Sequence, residues 1–118
     1  MRKLTLGLAA ALTLAATTAG AHPKLLSAQP APGAAVAGSP REISITFSEA
    51  IFPRLSGLTV TGPAGTVAKT GGAGDPKDRN QLVVPLLATL PPGQYRVDWH
   101  AVSTDTHHVK GQFDFPVK

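Results

Sequence analysis

Cysteine is absent from the 118-residue chain, and Met1 is its only methionine. Without thiols the protein has no disulfide, no zinc–thiolate or iron–sulfur site, no thiol nucleophile and no blue-copper centre, which requires a cysteine ligand. Met1 belongs to the leader described below, so the mature chain offers no soft sulfur ligand. Any metal site must therefore be built from nitrogen and oxygen donors.

Charged and aromatic residues are also few, at 15% and 5% of the chain. The 11 Lys and Arg residues against 7 Asp and Glu residues give a formal net charge of +4. Two of the basic residues, Arg2 and Lys3, lie in the leader, and the small remaining excess is scattered. This charge pattern does not predict a nucleic-acid partner.

Residues 1–21 have the pattern of a secretory signal peptide. A basic start precedes the apolar run LTLGLAAALTLAA, which is too short to span a bilayer, and small residues follow at 19–21. We expect cleavage after Ala21, which would expose His22 as the new N-terminus and leave no membrane insertion. A retained N-terminal anchor, or a cut a few residues away, is the alternative.

The mature segment, residues 22–118, has the pattern of one all-β domain. Apolar and polar side chains alternate in three segments, which are EISITFS, QYRVDWHAV and QFDFPVK. Residues 57–68 predict two further strands around a Gly-Pro-Ala-Gly turn, and Pro85 restricts the strand in QLVVPLLATL to a sheet edge or a strand end. The Pro- and Gly-rich pieces APGAAVAGSP and GGAGDPKDRN predict loops. About seven short strands with intervening turns are typical of a two-sheet β-sandwich.

The densest group of polar residues is STDTHHVKG at 103–111. Asp105 and His107 are two residues apart, so in extended backbone their side chains share a face. This pair fits part of a metal site, an acid–base pair or a loop hydrogen bond. Hydrolytic catalysis is less well supported, because the neighbouring Ser103 cannot be recognised as a positioned nucleophile from sequence.

His22 favours the metal interpretation. An N-terminal histidine offers its α-amine and its ring Nδ1 to one metal ion, and such amines have an ordinary pKa near about 8. Pro23 has no backbone N–H, so the first peptide nitrogen cannot become another ligand. With Asp105 and His107, the donors would be three nitrogens and one carboxylate oxygen, a set that suits Cu(II) better than zinc. A disordered N-terminus without any ligand role is the alternative.

The mature chain resembles the periplasmic copper-resistance proteins of the CopC type over essentially its whole length. The matching motifs are HPKLLSAQPAPGAAV, ITFSEAI, LPPGQYRVDWHAVSTDTH and the closing G-x-F-x-F-x-V. The resemblance implies a cupredoxin-like, Ig-like Greek-key β-sandwich that binds Cu(II) in the exported compartment. It also implies a CopD-like inner-membrane protein as a possible partner.

Carried over by position, the resemblance implies copper ligands at His22, Asp105 and His107, and places Glu49 at or beside the copper. Some members of the family carry a methionine-rich loop that forms a second, Cu(I) site. The corresponding region here, TGPAGTVAKTGGAGDPKDRN, contains neither Met nor His. Since thioether sulfur stabilises Cu(I), a single Cu(II) site is expected.

We therefore predict a copper-binding protein for copper resistance and homeostasis that is not an enzyme. It would sequester Cu(II) or pass it to a membrane protein or another copper protein. One alternative is a copper monooxygenase with an N-terminal histidine, which would need a broad substrate surface that the few aromatic residues do not predict. The other is a metal-free Ig-like structural domain. His100 is interpreted as structural, and His108 as an exposed bystander or a partner contact.

Overall fold

The computed structural model describes residues 22–74 and 78–118, and the predicted signal peptide lies outside them. Within these ranges the chain forms six β-strands. They are β1 (Leu25–Gln29), β2 (Glu42–Phe47), β3 (Gly57–Thr61), β4 (Gln81–Pro85), β5 (Gly93–Val102) and β6 (His108–Val117). Short 3-10 turns occupy Pro53–Leu55 and Pro63–Gly65. None of the helical turns in these ranges is long and apolar enough to cross a membrane.

The strands form two three-stranded antiparallel sheets with the orders β1-β2-β4 and β3-β5-β6. The chain changes sheet after β2, after β3 and again after β4, as in Greek-key sandwiches. The all-β sandwich predicted from the sequence is confirmed, with six strands in the described residues in place of about seven.

The core lies between the sheets and is built by the alternation seen in the sequence. In β2, Ile43, Ile45 and Phe47 are fully buried. The side chains that β5 and β6 contribute to the central core cluster are Tyr95, Val97, Trp99, Ala101, Phe113, Phe115 and Val117. Phe47 meets Trp99 edge-on across the two sheets, with ring centroids 5.2 Å apart. Burial of each large apolar side chain contributes about 1.5–3 kcal/mol, so these faces hold the sheets together.

The structure corrects the prediction for residues 57–68. β3 forms as expected, but the second strand is reduced to a single bridge between Thr61 and Val67. Val67 is exposed and adds little to the core, so burial does not favour a longer strand here. In β4, Pro85 is the last residue of an edge strand, as its missing N–H predicted.

The long β5–β6 hairpin positions the loop that carries Asp105 and His107. Its register runs from Gly93 opposite Val117 to Val102 opposite His108. Residues 103–107 therefore connect the two strands at one end of the sandwich. The start of β1 reaches the same end, because Leu25 pairs with Phe47 and β1 runs antiparallel to β2.

The indole of Trp99 packs against Gly111, in space that any larger residue at position 111 would fill. A Cβ atom at position 111 would lie 2.5 Å from Cζ2 of Trp99, closer than any real contact. We expect Gly111→Ala to lower the free energy of unfolding by about 1–3 kcal/mol, the usual cost of overpacking a core. Urea denaturation followed by tryptophan fluorescence measures this change. Gly72→Ala is the control, because a Cβ there meets nothing within 4 Å; equal stability losses in the two variants would contradict the packing argument.

Candidate metal centre

A tight turn at the tip of the β5–β6 hairpin brings Asp105 and His107 together. The backbone N–H of Ser103 donates to the carbonyl of His107 (2.9 Å), and the N–H of Thr106 donates to the carbonyl of Ser103 (2.8 Å). Thr106 adopts a left-handed backbone with φ of 72°. The carboxylate Oδ1 of Asp105 lies 3.1 Å from Nδ1 of His107. The pair predicted from sequence does meet, although it does so through a turn and not through extended backbone.

Ser103 lies beneath this pair. It is the buried polar side chain of the described core, with 1% of its surface exposed. Its hydroxyl donates to Oδ1 of Asp105 and accepts from the backbone N–H of His107 at 3.1 Å. Sequence reasoning considered Ser103 only as a nucleophile, because these contacts depend on the turn.

His22 approaches the turn from the other end of the chain. Two hydrogen bonds of 2.8 Å hold Lys24 to Ser48. The backbone N–H of Lys24 donates to the Ser48 hydroxyl, and the backbone N–H of Ser48 donates to the carbonyl of Lys24. This attachment lies only two residues after His22. The ring of His22 meets the ring of His107 edge-on, with centroids 5.0 Å apart and an interplanar angle of 75°. Three predicted ligands, His22, Asp105 and His107, thus form one continuous group.

Glu49 lies in sequence between two residues that contact the segments of this group, one near His22 and one near Asp105. Its preceding neighbour, Ser48, bonds Lys24, and its following neighbour, Ala50, accepts a 3.0 Å hydrogen bond from the N–H of Thr104. Glu49 is half-buried, and its Oε2 is buried without a hydrogen-bond partner in the part of the chain that the structure describes. An unpaired buried carboxylate oxygen is costly, so this position fits a residue that faces a cation.

In the part of the chain that the structure describes, these side chains do not form a complete metal site by themselves. Residues 22–74 and 78–118 contain no set of three or more His, Asp or Glu side chains already arranged to hold a metal ion. The α-amine that the sequence predicts as a donor would be created only by cleavage after Ala21, since the His22 nitrogen is otherwise a peptide nitrogen. The side chains present are nitrogen and oxygen donors, and the α-amine would join them only if the predicted cleavage takes place.

The environment of Asp105 favours its charged form. The hydrogen bond from the Ser103 hydroxyl, followed by the hydrogen bond from His107, lowers the pKa of Asp105 below its ordinary value of 3.8. A lowered pKa keeps this carboxylate ionised and able to bind a cation until the solution is more acidic than that value. The carboxylate of Asp105 is therefore charged at any pH near neutrality.

The two remaining histidines lie on other surfaces. The ring of His100 covers Gly57 of β3, where an added Cβ would lie 3.1 Å from Cε1. His108 begins β6 and is exposed. Neither forms part of the continuous group of His22, Asp105 and His107.

Fold and site together define a small β-sandwich protein with a candidate nitrogen–oxygen metal site at one end. The CopC domain family matches residues 25–118, which is most of the chain. The chain belongs to the CopC family, and the resemblance predicted from its motifs is confirmed.

Named relatives and solved structures agree with this assignment. Copper resistance protein C of Escherichia coli is 42% identical over 113 residues, covering 87% of this chain and 86% of the relative. The protein of the same name from Pseudomonas syringae pv. tomato is 40% identical over 118 residues, covering 92% and 90%. The crystal structure of PcoC, described as a methionine-rich copper resistance protein from E. coli, superposes with a TM-score of 0.76 at 36% identity, covering 83% of this chain and 100% of PcoC. CopC from Methylosinus trichosporium OB3b superposes with a TM-score of 0.75 at 28% identity, covering 82% and 94%.

Proposed function

We propose that the mature protein is an exported, periplasmic Cu(II)-binding protein of copper resistance and homeostasis. The observation that carries this proposal is the meeting of His22 with His107 and Asp105, residues from opposite ends of the chain. Relatives named copper resistance protein C support copper as the ion. Copper is the cargo here, either sequestered or passed to another protein.

The donor set favours oxidised copper. Two imidazoles, a carboxylate and the α-amine released by cleavage make a nitrogen–oxygen set of the kind that Cu(II) prefers, and copper leads the divalent affinity order. Glu49 or a water molecule would complete the coordination. PcoC is described as methionine-rich, whereas this chain has Met1 alone. Without thioether ligands, we expect no second, Cu(I) site.

A binding role is better supported than an enzymatic one. The hydroxyl of Ser103 is buried and already engaged with Asp105 and His107, so no substrate can reach it as a nucleophile. An anionic carboxylate ligand also stabilises Cu(II) against the reduction that a copper monooxygenase requires. Oxidation of a polysaccharide on addition of a reductant would support the enzymatic alternative.

The cellular setting follows from the predicted leader and the family. Residues 1–21 would direct export, and cleavage would release a periplasmic domain with no membrane insertion of its own. A CopD-like inner-membrane protein is the proposed receiver or donor of copper. Intact mass of the exported protein reports the cleavage site directly.

Copper titration of the mature protein, beginning at His22, tests the proposal. We expect one Cu(II) per chain, a weak type-2 absorption in place of an intense blue band, and quenching of Trp99, the single tryptophan. Trp99 lies four residues before Ser103, or about 13 Å along a strand at ~3.3 Å per residue, which is near enough to report the metal. Cu(I) under reducing conditions should bind much more weakly. A protein that ignores Cu(II) would support the metal-free structural alternative.

His100→Ala provides the matched control for this titration, because His100 is an exposed histidine outside the group. It should bind Cu(II) as the unaltered protein does, whereas His107→Ala should bind weakly. Equal affinities for these two variants would place the copper somewhere other than the proposed site.

A further inference from the structure

We propose that Ser103 is a positioning residue for copper, holding the Asp105 carboxylate and the His107 backbone in their binding arrangement. The inference rests on the proposed function and adds to it a residue that touches no copper itself. Outer-shell groups that orient metal ligands commonly change metal affinity by about 10–100-fold when they are removed.

The Ser103 hydroxyl uses both its donor and its acceptor capacity on the site. Its short contact is with Oδ1 of Asp105, with the carbonyl of His107 a more distant acceptor at 3.5 Å, and it accepts from the N–H of His107 at 3.1 Å. A hydroxyl has a single proton to donate, so these two bonds determine its orientation. One side chain thus orients one predicted ligand and fixes the backbone of the next.

Ser103 is itself firmly held, unlike the side chains above it. It pairs with Ile51 in an antiparallel bridge, and its backbone N–H and C=O are bonded to His107 and Thr106. The side chains of Asp105 and His107 are each 45% exposed. Exposed side chains lose rotational freedom on binding a metal, and contact with a rigid buried group reduces that loss beforehand.

The same contacts select the metal-binding nitrogen of His107. Oδ1 of Asp105 receives the Ser103 hydroxyl and also lies 3.1 Å from Nδ1 of His107. At this separation Nδ1 can donate to the carboxylate only when it carries the ring proton. In the neutral ring that leaves Nε2 as the nitrogen with a free lone pair, and we expect it to bind the copper.

Ser103→Ala tests the inference in the mature protein. We expect Cu(II) affinity, measured by competition with a chelator, to fall by about 10–100-fold. The copper hyperfine splitting in the electron paramagnetic resonance spectrum should also change, because the ligand geometry relaxes; a loss of overall stability alone would not alter that signature. Ser103→Thr retains the hydroxyl and should restore both properties.

Ser56→Ala is the matched control. The Ser56 hydroxyl also binds the end of β5, accepting from the N–H of Val102 at 3.0 Å and donating to the carbonyl of Phe52 at 2.8 Å. It contacts none of the proposed ligands, so copper affinity and the spectrum should stay unchanged.

The outcomes separate this inference from the proposed function. Unaltered protein that binds Cu(II) beside a Ser103→Ala variant with the same affinity and spectrum overturns the role of Ser103 and leaves the proposed function intact. Unaltered protein that binds no Cu(II) overturns the proposed function itself. If Ser103→Ala does not fold, proton NMR of the copper-free unaltered protein decides the matter: a nuclear Overhauser contact between the Ser103 hydroxyl proton and the backbone N–H of His107 is expected, and a hydroxyl without that contact would contradict the arrangement.

Discussion

A single alanine added before His22 is expected to weaken Cu(II) binding by more than about 100-fold. The change converts the terminal amine into a peptide nitrogen, so the chelate loses one of its two donors while the imidazole stays in place. Pro23 has no N–H and cannot supply a replacement nitrogen. Loss of a direct ligand should exceed the roughly 10–100-fold effects of outer-shell changes.

The structure makes this extension a clean test of the amine. Lys24 is bonded to Ser48 two residues after His22, so an added residue projects away from an attachment that remains intact. Chelator competition measures the affinity, and the same alanine placed after Lys118 is the control. His22→Ala removes the imidazole as well and should bind at least as poorly. An extended protein with the affinity of the original would rule out the chelate.

Acidification from pH 7 to pH 5 is expected to lower Cu(II) affinity by about 100-fold or more. Nitrogen donors must be free of protons to bind a metal, and each proton released on binding costs up to about tenfold in affinity per pH unit. Histidine side chains in general change charge between pH 5 and 8, so the loss in this range comes from nitrogen donors.

Asp105 should contribute only in stronger acid. Its pKa is lowered by the Ser103 hydroxyl and then by His107, so the carboxylate stays charged throughout the range from pH 7 to 5. Protonation of Asp105 begins to compete with copper only as the pH falls below its ordinary value of 3.8. The profile should therefore show two stages, with the steep nitrogen stage first.

Affinity measured by tryptophan quenching and chelator competition from pH 8 to below pH 3.8, the ordinary pKa of an aspartate, checks this order. Asp105→Asn should weaken binding at every pH and should keep the steep loss between pH 7 and 5. An affinity that is constant down to pH 4 would exclude imidazole and amine donors. A loss that disappears in Asp105→Asn would show that Asp105, and not the nitrogens, dominates the acid response.

The core strands were predictable because each one carries its own pattern. In β2 the alternation of Ile43, Ile45 and Phe47 identifies the buried face from local sequence alone. β1 was not predicted, since Ala28 is its only buried residue and its place in the sheet comes from pairing with β2. The order of strands depends on such long-range pairing, which local alternation does not encode.

The site was partly predictable for the same reason. His22 is conspicuous behind a predicted cleavage site, and Asp105 with His107 is a recognisable short motif. Ser103 was missed because its function as a hydrogen-bonding support arises from the turn at Thr106 and from its pairing with Ile51. A serine in a polar loop has many possible partners until the fold selects them.

By itself, the sequence determined the chemistry that is open to the protein. A mature chain without sulfur restricts any metal site to nitrogen and oxygen donors, and period-two alternation requires packed sheets. Only the tertiary structure decided that His22 meets the loop of residues 103–107. The reason is geometric, because the antiparallel pairing of β1 with β2 and the length of the β5–β6 hairpin bring both to the same end of the sandwich.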